Sequence, residues 1–180
     1  MGDVANVVSG PAKLFVAPVG TAIPNLTGNV SAFAAFTDVG FTDKGVEFDY
    51  SATDKDIEVD ELTSPVDILI DKEKVEINVV LAETTLENLY FCISGGTLAS
   101  ATELTVGGKV RPSEFVLGIH GPGPNGGTRQ IIVYRAMPQG NPKVHWQRND
   151  KTMFAAKFRG LADSTRADGA NICGIEDFGT

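Results

Sequence analysis

Two stretches of the chain carry residue types that perform chemistry in other proteins, and spacing decides what each can do here. Gly121-Pro-Gly-Pro-Asn-Gly126 has the letters of a dinucleotide fingerprint. Such a loop grips phosphate through donated backbone N–H groups and the N-terminus of a following helix. Pro122 and Pro124 have no N–H to donate, and the next residues, from Arg129 to Tyr134, read as a strand. The stretch is therefore a hairpin loop between strands near 115–119 and 129–137, and no lysine precedes Thr128 to make a P-loop. Asp54, Asp56, Glu58, Asp60 and Glu61 space their carboxylates like a calcium loop. However, Val59 stands where that loop needs glycine, and Pro65 stands where its closing glutamate belongs. An EF-hand is excluded. An irregular cation site and an exposed acidic hairpin arm both fit the pattern, and the arm is the simpler reading.

The remaining reactive residues are sparse. His120 and His145 are the only histidines, and neither belongs to a zinc-binding spacing. Cys92 and Cys173 lie far apart with no CxxC pair, which suits two buried thiols and neither a zinc site nor a disulfide framework. No serine sits in a GxSxG elbow. The expectation is a protein with no catalytic site, metal or cofactor.

Charge is more informative than any motif. The net charge of -8 and the pI near 4.7 argue against tight nucleic-acid binding, which needs cations to displace counterions from phosphate. The charge is also divided along the chain. Residues 43–87 hold 14 acids and 4 bases, whereas residues 129–166 hold 8 bases and 2 acids. Two solvated faces of one domain would give this pattern. So would self-complementarity, in which the acidic part of one copy meets Arg129, Arg135, Arg148, Lys157 or Arg159 of the next in a head-to-tail contact.

The elements that must position these charges are mostly strands. Val46, Phe48 and Tyr50 alternate with Glu47, Asp49 and Ser51, and Val75, Ile77, Val79 and Leu81 alternate with Lys74, Glu76 and Asn78. Phe154, Ala156 and Phe158 repeat the pattern against Lys157 and Arg159. Apolar runs at 14–19, 66–70, 115–119 and 130–137 add further strands bounded by glycine, proline or aspartate. One segment breaks the rhythm: Leu86, Leu89, Tyr90 and Ile93 fall at helical spacing. Thr84 and Glu87 predict a capping box, and Gly95 and Gly96 a left-handed stop, for a helix over about 84–94. Phe91 lies off that stripe, so it packs under a loop of its own subunit or against a neighbour; it is the candidate intersubunit residue. The expected architecture is one mainly β domain over 1–180, a β-sandwich or partly closed barrel with one flanking helix. Residues 1–10 and 163–180 read as terminal arms. No apolar run is long enough for a membrane-spanning helix, and the N-terminal residues do not look like a secretory leader.

Taken in order, these elements resemble a known family. The run from Thr37 to Phe48, then Pro65-Val-Asp67, then the run from Val75 to Leu89 resembles the major tail, or tail tube, proteins of long-tailed bacteriophages, and the run from Thr152 to Ser164 looks like the closing strand and loop of the same family. The resemblance covers most of residues 36–166 and extends to the inner tubes of contractile tails and to secretion-needle rings. It implies hexameric rings stacked into a tube through which DNA leaves the capsid, with tape-measure and tail-end proteins as partners. It further implies that a hairpin arm at 51–64 reaches the adjacent ring. A lumen lined with carboxylates would repel phosphate and let the duplex slide. Spacing leaves open whether the arm's carboxylates face that lumen or a neighbouring ring. The reading from a different class is a monomeric β-sandwich module binding sugar or protein; Trp146 and three tyrosines are thin material for its aromatic platform.

Overall fold

The computed structural model describes residues 3–60, 63–108, 111–139, 142–144 and 151–179. Among the described residues ten strands and one α-helix follow the chain. They are β1 (Lys13–Pro18), β2 (Thr37–Asp38), β3 (Thr42–Ile57), β4 (Asp67–Leu81), α1 (Leu86–Cys92), β5 (Gly96–Ser100), β6 (Glu103–Val106), β7 (Phe115–Pro122), β8 (Thr128–Pro138), β9 (Phe154–Gly160) and β10 (Cys173–Phe178).

Eight of these strands form one sheet in the order β2-β1-β7-β8-β9-β4-β3, with β10 added to β8. The sheet is not closed into a barrel. Strand β8 explains how a single sheet makes two layers. One of its edges pairs with β7. Its other edge takes β10 along residues 128–133 and then β9 along residues 136–138, so the sheet turns at that point. The main core fills the space between the layers: Leu14 and Val16 of β1, with Leu117 and Val133 of β7 and β8, meet Val75, Ile77, Val79 and Leu81 of β4 and Phe154, Ala156 and Phe158 of β9. The alternation read from β4 and β9 is thus the alternation of a sandwich interior. Strands β5 and β6 form a separate two-stranded hairpin.

The runs at 14–19, 115–119 and 130–137 fail to alternate because their sheet is covered on both faces. On the far side, Phe15, Ala17, Val116 and Ile132 pack with Phe33 and Phe36 from the connection between β1 and β2. Phe33 stacks on Phe15 at 5.1 Å and meets Phe36 edge-on at 5.7 Å.

Helix α1 is shorter than expected and is differently turned. Its N-cap is Thr85, whose Oγ1 accepts from the N–H of Asn88 at 3.1 Å, so the Thr84–Glu87 box does not form. Ile93 ends it in an extended conformation, and neither Gly95 nor Gly96 has a positive φ. The buried face is Asn88, Phe91 and Cys92; Leu86, Leu89, Tyr90 and Ile93 are half-buried. The reason is chemical. Asn88 Nδ2 donates to the carbonyls of Val39 and Glu83 at 3.0 and 2.9 Å, which lets a polar residue occupy an inner position that apolar counting would not assign to it.

At the termini, residues 163–180, expected as an arm, return to the sheet through β10, with the N–H of Asp163 bonded to the carbonyl of Asn171. Residues 5–10 are exposed.

Candidate assembly surface

Strands β3 and β4 are one long antiparallel hairpin. Near its base the face bearing Val46 and Phe48 packs on the core, while on the opposite face Asn78 Nδ2 donates to Glu47 and Asp49. On that opposite face Glu76 Oε1 lies 2.8 Å from Lys74 Nζ and 3.0 Å from Lys157 Nζ. These two bonds, Lys74 first, hold the Glu76 carboxyl below its ordinary range.

Beyond Tyr50 the hairpin leaves the body of the protein. Every described residue from 49 to 60 and from 63 to 73 is exposed. The expected arm at 51–64 thus falls on the outer half of a continuous ribbon, β3 to Ile57 and β4 from Asp67, apart from residues 61 and 62, which lie outside the described residues. A bulge between Thr53 and Asp54 shifts the register, leaving Asp71 without a partner in the ladder. Past it, Asp54 stands opposite Ile70 and Asp56 opposite Ile68 on one face, and Lys55 opposite Leu69 and Ile57 opposite Asp67 on the other. Ile68 is 61% exposed and Ile70 59%. Both faces of the ribbon thus present large aliphatic side chains to solvent. Sequence reading marked 66–70 as a strand and missed this; the signal available was an apolar run set against an acidic alternation with no second apolar layer to cover it.

Asp54, Asp56, Glu58 and Asp60 are exposed and have no ion pair among the described residues; Glu61 lies outside the described residues. The expected basic partners are differently disposed. Arg129 forms a two-pronged pair with Asp177 on β10, both contacts 2.6 Å. Arg135 binds Glu114 in the same way and also donates to the carbonyl of Ala162. Lys157 belongs to Glu76. Three of the five candidates are therefore already neutralised within their own chain. Arg159 on β9 is exposed with no ion pair among the described residues, and Arg148 lies outside them.

Phe91 is not available to a neighbour. It is 4% exposed and meets Phe115 edge-on at 5.3 Å inside the main core. Cys92 is also buried, and desolvation pushes its thiol up to about 12, whereas Cys173 is half-buried. The hairpin between β7 and β8 is tighter than expected: Gly121 and Pro122 still pair with Arg129 and Thr128 as the end of β7, and the turn is residues 123–127. No group of three or more metal-binding side chains occurs among the described residues, and no helix there is long and apolar enough to cross a membrane.

These features, an open β-sandwich, one helix and a projecting ribbon with uncovered apolar faces, are those of a structural component that makes contacts. The sequence matches the family described as phage tail tube protein over residues 1–171, and the chain belongs to that family. Among solved structures it is similar to one described as the crystal structure of Hcp protein, with 9% identity, a TM-score of 0.34, and coverage of 94% of this chain and all of the other. A search of curated proteins gave no match.

Proposed function

We propose that copies of this chain assemble into stacked hexameric rings, and that the stack forms the tail tube of a phage virion. The tube is an acidic conduit that DNA traverses during ejection without tight binding. Assembly takes place in the host cytoplasm, with tape-measure and tail-end proteins acting at the tube's length and ends. The chain acts by contact and carries out no reaction, so it needs no cofactor.

The observation that carries this reading is the ribbon beyond Tyr50. Isolated hairpins are marginal in water, and exposed aliphatic residues grouped on one element mark a contact surface. Ile57, Ile68, Leu69 and Ile70 lie together on the arm, on both of its faces. A strand wetted by a water-filled lumen would have no use for them. The arm therefore reaches a second copy and is covered there on both sides, and Asp54 and Asp56 meet cations such as Arg159, which has no ion pair among the described residues. The test is electron microscopy and sedimentation of purified protein over a wide concentration range. Rings or tubes with an open channel are expected; a strictly monomeric protein at high concentration overturns the proposal.

A further inference from the structure

Gln130 is a fully buried polar side chain, and every one of its bonds is assigned by its neighbours. Its Oε1 accepts from the backbone N–H groups of Thr27 and Gly28 at 3.1 and 3.0 Å. Its Nε2 donates to the carbonyl of Asn29 at 2.9 Å and lies 3.1 Å from Nδ1 of His120. Two backbone donors and one backbone acceptor fix which end of the amide is which. Nδ1 of His120 must therefore accept, so the neutral ring carries its proton on Nε2.

The atoms that Gln130 holds belong to the connection between β1 and β2, the segment that covers the outer face of β1, β7 and β8. Two further features pin that segment at the same place. Thr128 Oγ1 donates to the carbonyl of Gly28 at 2.9 Å, and Gly28 has a φ of +74° with Phe178 where a Cβ would go.

We propose that His120 and Gln130 form a proton-sensitive latch that holds the 24–30 segment on the sheet at neutral pH and releases it in mild acid. Protonation puts a hydrogen on Nδ1, directed at the Nε2 hydrogens of an amide that cannot turn over without losing Thr27, Gly28 and Asn29. The bond becomes a donor–donor contact, and because Gln130 is fully buried its freed N–H finds no water while the segment stays closed, although His120 itself is only half-buried. Of the charges around His120, Lys13 works in the same direction, and the carboxylates of Asp38 and Glu176 work against it. Strand pairing places Lys13 of β1 directly opposite His120, with Asp38 of β2 bound to Lys13 at 3.1 Å. Glu176 of β10 lies one strand beyond, opposite Gln130. The 20–36 segment and the 123–128 turn bring no ionisable side chain. Burial, with Lys13 second, lowers the His120 pKa below 6.5. The closed latch therefore binds fewer protons than the open one, and its contribution, complete above about pH 6.5, is lost as pH falls through the folded value.

The test is hydrogen exchange of the 24–30 segment in the full chain at pH 7.5 and pH 5.0, corrected for the intrinsic rate. Opening is expected to rise several-fold at the lower pH, while the β7 and β8 amides stay protected. His120→Asn places an acceptor oxygen near Nδ1 and cannot be protonated, so it should keep the segment closed and abolish the pH dependence. Equal protection of the wild type at both pH values overturns the proposal, as does an unchanged pH dependence in His120→Asn. Nitrogen chemical shifts of His120 give a reading that needs no variant: the proton on Nε2 at neutral pH supports the latch, and the proton on Nδ1 defeats it.

Discussion

Asp56 lies directly across the arm from Ile68, so a carboxylate and an exposed isoleucine share one face of the same ribbon. Asp54 and Ile70 repeat the pair. A surface built this way suits a partner that is itself apolar with a cationic edge. The two chemistries can be separated by substitution.

Ile68→Ser with Ile70→Ser should suppress assembly at every salt concentration, because burial of apolar area is not screened. Asp54→Asn with Asp56→Asn should weaken assembly moderately and flatten its salt dependence, since exposed ion pairs are worth only about 0–1 kcal/mol and fade with ionic strength. Sedimentation at low and high salt separates the two patterns. Tubes that form as well or better with the amide pair would place these carboxylates against a lumen.

Phe91 and Leu89 should behave in the reverse of the order that the helical stripe suggests. Phe91→Ala should cost the folded chain ~3–5 kcal/mol, the range for a buried phenylalanine. Leu89 is half-buried and should lose less than the ~2–5 kcal/mol of a fully buried leucine. Urea denaturation below the assembly concentration measures both. Phe91→Ala that left the monomer's stability intact would return that residue to the interface.

What the sequence revealed and what it hid follow from how many faces of an element are covered. Strands with one wet face, such as β4 from Val75 to Leu81, announce themselves by alternation, and the structure pairs them as read. The hairpin joining β7 and β8 was legible, though not its exact bounds, because proline excludes phosphate binding on simple covalent grounds. The face of α1 was not, because Asn88 is admitted to the interior by two carbonyls that arrive from Val39 and Glu83, and no local pattern encodes that meeting. The fate of Arg129 was hidden for a related reason. Its partner, Asp177, is 48 residues away and reaches it only because the C-terminal segment folds back as β10. Composition identified a charge asymmetry, and it could not say which cations were already engaged.

The Glu76 carboxylate should shape the acid limb of stability. Its folded pKa lies below the ordinary 4.5 because Lys74 and Lys157 bond to it. The unfolded chain therefore binds the proton more readily, and the stabilisation present at neutral pH disappears as pH falls through the folded value. Glu76→Gln should be less stable than the wild type near pH 7 and should approach it near pH 3. Urea midpoints measured across that range check this, and a difference that stays constant with pH would show that the two lysines act only as packing.

Gly118 sits under the Phe33 ring, and a Cβ placed there would enter the ring itself. Its backbone has an ordinary negative φ, so the requirement for glycine is one of space and not of conformation. Gly118→Ala should therefore cost ~1–3 kcal/mol, the usual penalty for overpacking, by displacing Phe33 from its stack on Phe15. Phe33→Leu alone should also destabilise, because it gives up the aromatic pair. Together the two substitutions should cost less than the sum of their separate effects, since the smaller side chain vacates the volume that the new methyl needs. A double-mutant cycle by urea denaturation measures this coupling, expected at roughly 0.5–3 kcal/mol for residues in contact. Strict additivity would mean that the segment carrying Phe33 moves aside freely, and that the outer aromatic cluster contributes little to holding it on the sheet.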